Sequence, residues 1–217
     1  MPRTACKYTI EVDVRRTLLV SIALILPCLT LNAAQTHLLV CYGDSITAGY
    51  GLAANQAYPA YLQRDLDQLA YHYQVKNLGT SGATTKDAVA GMQALLALHP
   101  AVVIVEFGGN DGLRGLPLSE TRKNLNALLS ALTASHSRIL LAGITLPPNY
   151  GPDYIRDFNQ MYRDLAAQHH VALVPMMYRD LIRQPGTLQT DGIHPTAKGS
   201  EILARTLLRS LRPLLTK

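Results

Sequence analysis

The sequence predicts an α/β domain: a five-stranded parallel sheet covered on both faces by helices, a three-layer α/β/α sandwich. Three observations carry this. Five short apolar runs alternate with helical patterns between residues 36 and 211, and such alternation implies parallel strands joined by right-handed helical crossovers. The run AVVIVEF at 101–107 is β-branched, continuous and apolar, as a strand shielded on both faces should be. No repeat, low-complexity tract or linker divides the chain after residue 36, and its 217 residues, 48% hydrophobic and 16% charged, suit one domain with a packed core.

The elements follow in order. HLLVCY (37–42) reads as the first strand. YPAYLQRDLDQLA (58–70) has helical spacing with Pro59 in its first turn, where proline costs no hydrogen bond. QVKNL (74–78) is a second, weaker strand, and 84–99 is a helix stopped by Pro100. The 101–107 strand leads to an amphipathic helix over 118–134, with Ser119 as its expected cap. RILLAGI (138–144) is the fourth strand, 152–170 a helix, VALVP (171–175) the last strand and 196–211 the closing helix.

In parallel sheets functional groups gather beyond the carboxyl ends of the strands, which directs attention to four loops. They read GDSITAGYG (43–51), GTSGATT (79–85), GGNDGLRG (108–115) and a segment containing TDGIHP (190–195). Singly, each has an ordinary reading. Ser45 or Asp44 could cap a helix, Gly82 could supply a positive φ, Asn110 and Asp111 could form an Asx turn, and Asp191 with His194 could be a surface pair. Together they supply the parts of acyl transfer: a hydroxyl nucleophile, an imidazole base, a carboxylate and oxyanion donors. Asp191 and His194 are three residues apart, close enough for the carboxylate to reach Nδ1 and leave Nε2 for Ser45.

Other classes are poorly supported. The net charge is +5, but no Lys/Arg run or basic stripe with interleaved aromatics marks a nucleic-acid surface. The remaining histidines (His37, His72, His99, His136, His169 and His170) lack metal-like spacing with acids or cysteines and read as surface or packing residues. Cys41 reads as a buried core residue. A non-enzymatic flavodoxin-like binding module, with a phosphate at the first loop, would leave DGIHP and GGND idle.

The first 34 residues differ in character. Arg15 and Arg16 precede TLLVSIALILPCLTL (17–31), followed by Asn32, Ala33 and Ala34. A basic flank, an apolar stretch and small residues describe a secretory signal peptide, and the stretch is short for a membrane span. The expectation is cleavage near Ala34, a mature domain over 35–217 in the periplasm or secreted, and no stable membrane insertion. Cleavage would remove four bases, two acids, Cys6 and Cys28, leaving Cys41 as the one thiol. Retention of 17–31 as an anchor, with the fold serving as an anchored interaction domain, is the alternative.

With these four blocks in order, the chain resembles the SGNH, or GDSL-type, hydrolase family, named for Ser, Gly, Asn and His. VEFGGNDGLRG, LPPNYG (146–151) and QTDGIHPTAKG are similar to the branch with thioesterase, lysophospholipase and arylesterase activities. The likeness spans about 36–215. It implies a flavodoxin-like sandwich with strand order 2-1-3-4-5 and no cofactor or metal. It implies Ser45 as nucleophile, His194 as base and Asp191 as its orienting acid. The implied oxyanion hole comprises the Ser45 and Gly82 N–H groups and the Asn110 amide, with Asp44 and Asp111 shaping their loops. Leu113, Leu116, Leu146 and Pro147 are candidates for an acyl groove or for loop packing. The implied substrates are acyl esters and thioesters.

Overall fold

The computed structural model describes Met1, Pro2 and residues 36–217; the signal-like segment and its cleavage point lie outside the described residues. Strand β1 (His37–Gly43) leads into a single helical turn, α1 (Ser45–Ala48), and helix α2 (Tyr58–Gln68). Next come β2 (Tyr73–Gly79), α3 (Thr85–Leu96), β3 (Val102–Glu106) and the short α4 (Gly109–Leu113). The chain continues through α5 (Leu118–Ala134), β4 (Arg138–Ala142), α6 (Pro152–His169), β5 (Ala172–Val174) and α7 (Ala197–Leu211). All strands pair in parallel in the order β2-β1-β3-β4-β5. Helices α2 and α7 pack together, as do α3 with α5 and α5 with α6, giving the expected three layers.

The middle of the sheet is apolar because it is covered twice. All five residues of β3 are buried, and each such Val or Ile contributes roughly 1.5–3 kcal/mol by leaving water. The helices meet the sheet through one stripe each. In α7 that stripe includes Leu203, Leu207 and Leu211, four apart, and in α6 it includes Phe158, Tyr162 and Leu165, as the 3.6-residue period requires. Cys41 is fully buried in β1, where burial pushes its thiol up to about 12 against a smaller lowering influence of Tyr58; it is a core residue, as expected.

The sequence expectations differ from the structure mainly at element ends. The helix expected over 84–99 closes at Leu96, and the one expected over 152–170 closes at His169. His99, His136 and His170 adopt positive φ just past α3, α5 and α6, a conformation in which histidine is several-fold enriched. Ser119 is not the cap of α5. That helix spans Leu118–Ala134 as expected, so Ser119 lies inside its first turn and Pro117 stands at the cap with no side-chain cap bond. Two segments read as loops, at 45–48 and 109–113, are short helices. Among the described residues, no helix is long and apolar enough to cross a membrane.

What positions the site is the level ending of three strands. Gly43 of β1 lies in register with Gly79 of β2 and Glu106 of β3. A Cβ on Gly43 would lie 2.1 Å from Thr47 Oγ1 and 2.6 Å from Glu106 Oε2. Only glycine lets α1 turn back over the end of the sheet so closely.

Candidate active site

Ser45 occupies the first position of α1, and Asp44 is its N-cap, accepting from Ile46 N–H at 3.0 Å. The sequence left open which of the two caps the turn; because Asp44 does so, the Ser45 hydroxyl is free. His194, brought in by the loop between β5 and α7, places Nε2 2.9 Å from Ser45 Oγ. Its Nδ1 lies 2.7 Å from Asp191 Oδ2. A carboxylate only accepts, so Nδ1 carries the proton and Nε2 accepts from the serine hydroxyl.

Asp191 also receives the N–H groups of Ile193 (2.8 Å) and His194 (3.0 Å) on Oδ1. Partial burial works to raise its carboxyl. The hydrogen bonds from His194 and Ile193 outweigh that and hold it at about 2. The acid is therefore charged across the neutral range, beside an imidazole it can orient.

The remaining loops converge on the same serine. Gly82 has a φ of 79°, accessible to glycine at little cost, and its carbonyl accepts from Arg114 at 2.9 Å. Among the described residues, the N–H groups of Ser45 and Gly82 have no acceptor. Asn110 Nδ2 stands 3.1 Å from Asp44 Oδ2 and 2.9 Å from Ala83 O, so its amide is aimed by the first two loops. Asp111 is buried and braces α4 by accepting from Thr85 N–H (2.9 Å) and Thr85 Oγ1 (2.5 Å).

The groove candidates divide. Leu116 and Pro147 are exposed and Leu113 is half-buried, but Leu146 is only 5% exposed, packs in the core and fills the space beside Gly112. The loops bearing them are laced together: Tyr150 donates to Leu113 O at 2.7 Å and Tyr154 to Leu116 O at 3.3 Å. A cavity of about 610 Å³ lies elsewhere, between β2 and α3, lined by Tyr42, Leu78, Leu95 and Phe107 among others; Ser45 and His194 do not border it.

Sequence reading missed several supports. Glu106 is fully buried at the end of β3 and accepts on Oε2 from Asp44 N–H (3.2 Å) and Thr47 Oγ1 (2.8 Å). Thr47 Oγ1 also lies 3.1 Å from the Tyr58 hydroxyl. Oε1 of Glu106 has no partner among the described residues. Burial, with the Asp44 carboxylate adding to it, pushes the Glu106 carboxyl well up, and burial also raises Asp44. Glu106 is raised the more of the two, since it is the more completely enclosed and Asp44 keeps donors from Ile46 and Asn110. The available signal was a lone acid in an otherwise apolar strand. Gln189 was also missed: its Nε2 donates to Tyr50 O (2.7 Å) and Pro195 O (3.0 Å), joining the first loop to the histidine loop. Among the described residues, no group of three His, Cys, Asp or Glu could hold a metal ion.

A parallel sandwich with these four loops at one sheet edge is the architecture of an SGNH-type acyl hydrolase. Residues 41–202 match the GDSL-like lipase/acylhydrolase family, and the chain belongs to that family. It is 43% identical over 201 residues to "Esterase TesA" of Pseudomonas aeruginosa, covering 92% of this chain and 100% of that protein. It is 38% identical over 192 residues to "Thioesterase 1/protease 1/lysophospholipase L1" of Escherichia coli K12, covering 88% of this chain and 91% of that protein. A crystal structure of TesA superposes with a TM-score of 0.80 at 41% identity, covering 82% of this chain and all of the other.

Proposed function

We propose that this protein hydrolyses carboxylic esters and thioesters of small acyl substrates through an acyl-enzyme on Ser45. The observation that carries the reading is the unbroken chain from Asp191 Oδ2 through His194 to Ser45 Oγ, with links of 2.7 and 2.9 Å. Ser45 Oγ attacks the acyl carbon while its proton passes to His194 Nε2. The carbonyl electron pair moves onto oxygen, which meets the Ser45 and Gly82 N–H groups and the Asn110 amide, the last turning an N–H toward it from Asp44 Oδ2. Collapse breaks the carbon–oxygen or carbon–sulfur bond, and His194 returns the proton to the leaving alcohol or thiol. Water, activated by the same imidazole, then releases the acid. Asp191 fixes the imidazole tautomer and stabilises its charged form. Each oxyanion donor is worth about 2.7–4 kcal/mol in the transition state.

The names of the relatives, an esterase and a thioesterase/lysophospholipase, support the substrate class. Leu113, Leu116 and Pro147 border the acyl side, and Leu146 forms the floor behind them. Residues 1–34 act as a signal peptide and residues 35–217 as the exported hydrolase; the mass of the protein recovered from the periplasm or medium checks this. The central test is turnover of a p-nitrophenyl ester series, acetyl to palmitoyl, with fluorophosphonate labelling read by mass spectrometry. Turnover and label should both vanish in Ser45→Ala. A folded wild-type protein that neither turns over nor labels overturns the reading.

A further inference from the structure

Tyr50 is an aromatic residue with an anchored backbone whose ring lies against the histidine and is left open to solvent. It follows α1, and its N–H donates to Ser45 O at 3.0 Å. Its carbonyl accepts from Gln189 at 2.7 Å. The backbone is therefore anchored to both the serine loop and the histidine loop. The ring packs against the His194 imidazole, with centroids 4.6 Å apart and planes 39° apart. Yet Tyr50 remains 54% exposed, whereas Tyr42, Tyr58, Phe107, Phe158 and Tyr162 are buried. Among the described residues, its hydroxyl makes no hydrogen bond.

The chemistry says what meets that open face. His194 Nε2 takes the proton from Ser45 and must deliver it to the departing oxygen or sulfur. The leaving atom therefore stands against the imidazole on the side away from the oxyanion donors at Gly82 and Asn110. A substituent on that atom extends outward from His194, and the aromatic ring packed against that imidazole is Tyr50. The acyl half leaves the reaction centre toward the loops carrying Leu113, Leu116 and Pro147. Leu116 is the other exposed large apolar side chain on these loops, at 37%.

We propose that Tyr50 is the leaving-group subsite, the residue by which this site discriminates a flat aromatic alcohol or thiol from an aliphatic one. This rests on the hydrolase reading above and deepens it. An aromatic leaving group gains an offset or tilted ring contact beyond simple area burial. The backbone is anchored before substrate arrives and a tyrosine has only two side-chain torsions to order, so little entropy is lost on binding. An aliphatic leaving group covers the same ring with fewer contacts and more rotors to freeze.

The test compares kcat/KM for phenyl butyrate and trifluoroethyl butyrate, which share an acyl group, using the full chain and its Tyr50→Phe, Tyr50→Leu and Tyr50→Ala variants. Each variant is compared with wild type on the same ester, so the intrinsic reactivity of the two leaving groups cancels. Tyr50→Ala should lose about threefold to tenfold more on the phenyl ester than on the alkyl ester. Tyr50→Leu should lose an intermediate amount, and Tyr50→Phe should keep the aryl-to-alkyl ratio. The variants' kcat for a p-nitrophenyl ester whose deacylation is rate-limiting should fall no further than their alkyl-ester rates, since the leaving group is then gone. Equal losses on both esters in Tyr50→Ala would overturn the subsite and leave Tyr50 as a support for His194 alone. Absence of wild-type turnover on either ester, together with absence of fluorophosphonate labelling, would overturn the hydrolase reading itself and the subsite with it.

Discussion

Two carboxyl groups flank Ser45 and are treated in opposite ways. Asp191 stands on a loop outside the sheet with its side chain 38% exposed, collects three hydrogen-bond donors and is held at about 2. Glu106 lies at the tip of β3 with no exposure, two donors on one oxygen and none on the other; burial pushes it upward. Each is one group removed from the serine: Asp191 through the His194 ring, Glu106 through the backbone of Asp44. The first works as a charge; the second, its charged form disfavoured by burial, spaces the turn. What a carboxyl does near a reaction centre is thus set by its supply of donors and water, not by its distance to the nucleophile.

The same chemical edit, acid to amide, should therefore give opposite results at the two positions. Asp191→Asn should lower kcat by about 10³–10⁴-fold, since the amide no longer orients or stabilises the charged imidazole. The loss of folding stability should be modest, about 0.5–1.5 kcal/mol, because the lost hydrogen bonds belong to a partly solvated group. Glu106→Gln resembles the protonated acid and should stay within about 1 kcal/mol of wild type at pH 5. Glu106→Ala should cost about 2–4 kcal/mol, from the cavity and from the Thr47 hydroxyl and Asp44 N–H left without an acceptor. Denaturant titration with activity at the midpoint of stability separates these. A Glu106→Gln loss above about 3 kcal/mol would mean that the buried acid is charged, and the contrast would collapse.

The contrast also explains what was legible in the sequence. Ser45, Gly82, Asn110, Asp191 and His194 lie on strand-end loops, where their residue types serve no core and so stand out. The layers followed from the alternation of runs, because period and apolarity record burial directly; the strand order came only with the resemblance to the hydrolase family, since periodicity does not say which strands are neighbours. Glu106 was passed over as the tail of an apolar strand. Its role depends on Thr47 and Asp44, 59 and 62 residues away, and only the register of β1 with β3 brings them together. Gln189 was missed for the same reason: its partner Tyr50 is 139 residues distant. The two short helices at 45–48 and 109–113 were read as loops because four or five residues cannot display a helical period.

The pH dependence of folding should separate the two acids further. The raised carboxyl of Glu106 binds its proton more tightly in the folded chain than in the unfolded one. Its contribution is complete below the ordinary glutamate value and is lost as pH rises toward the raised one. Asp44, also raised by burial and facing Glu106, Asp111 and His194, adds in the same sense. Asp191 runs the other way: its contribution is present above the ordinary aspartate value near 3.8 and is lost as pH falls toward about 2. Urea midpoints between pH 4.5 and 8 should therefore decline less steeply with rising pH in Glu106→Gln than in wild type. Parallel slopes would show that Glu106 does not carry the proton.

The smallest expected effect concerns how the exposed half of the site is kept in place at all. The buried half needs no clasp, because Glu106 and Asp44 are fixed by strand ends in register. The histidine loop has no strand beyond Val174 to hold it, and besides the His194 contacts with Ser45 and Tyr50 it is tied to the serine loop by the half-buried Gln189, whose amide donates to Tyr50 O and Pro195 O. Gln189→Ala removes two neutral hydrogen bonds whose carbonyls water can partly resatisfy, so its cost should be about 0.5–1.5 kcal/mol. Its loss of kcat should be well under that of Asp191→Asn, because the Asp191–His194 pair stays intact and only its approach to Ser45 loosens. The pH slope owed to Glu106 should be untouched, since no part of the clasp reaches β3. A Gln189→Ala variant that shifts that slope would show the two halves to be one coupled unit, and the division between a charged, loop-borne side and a neutral, sheet-borne side would have to be abandoned.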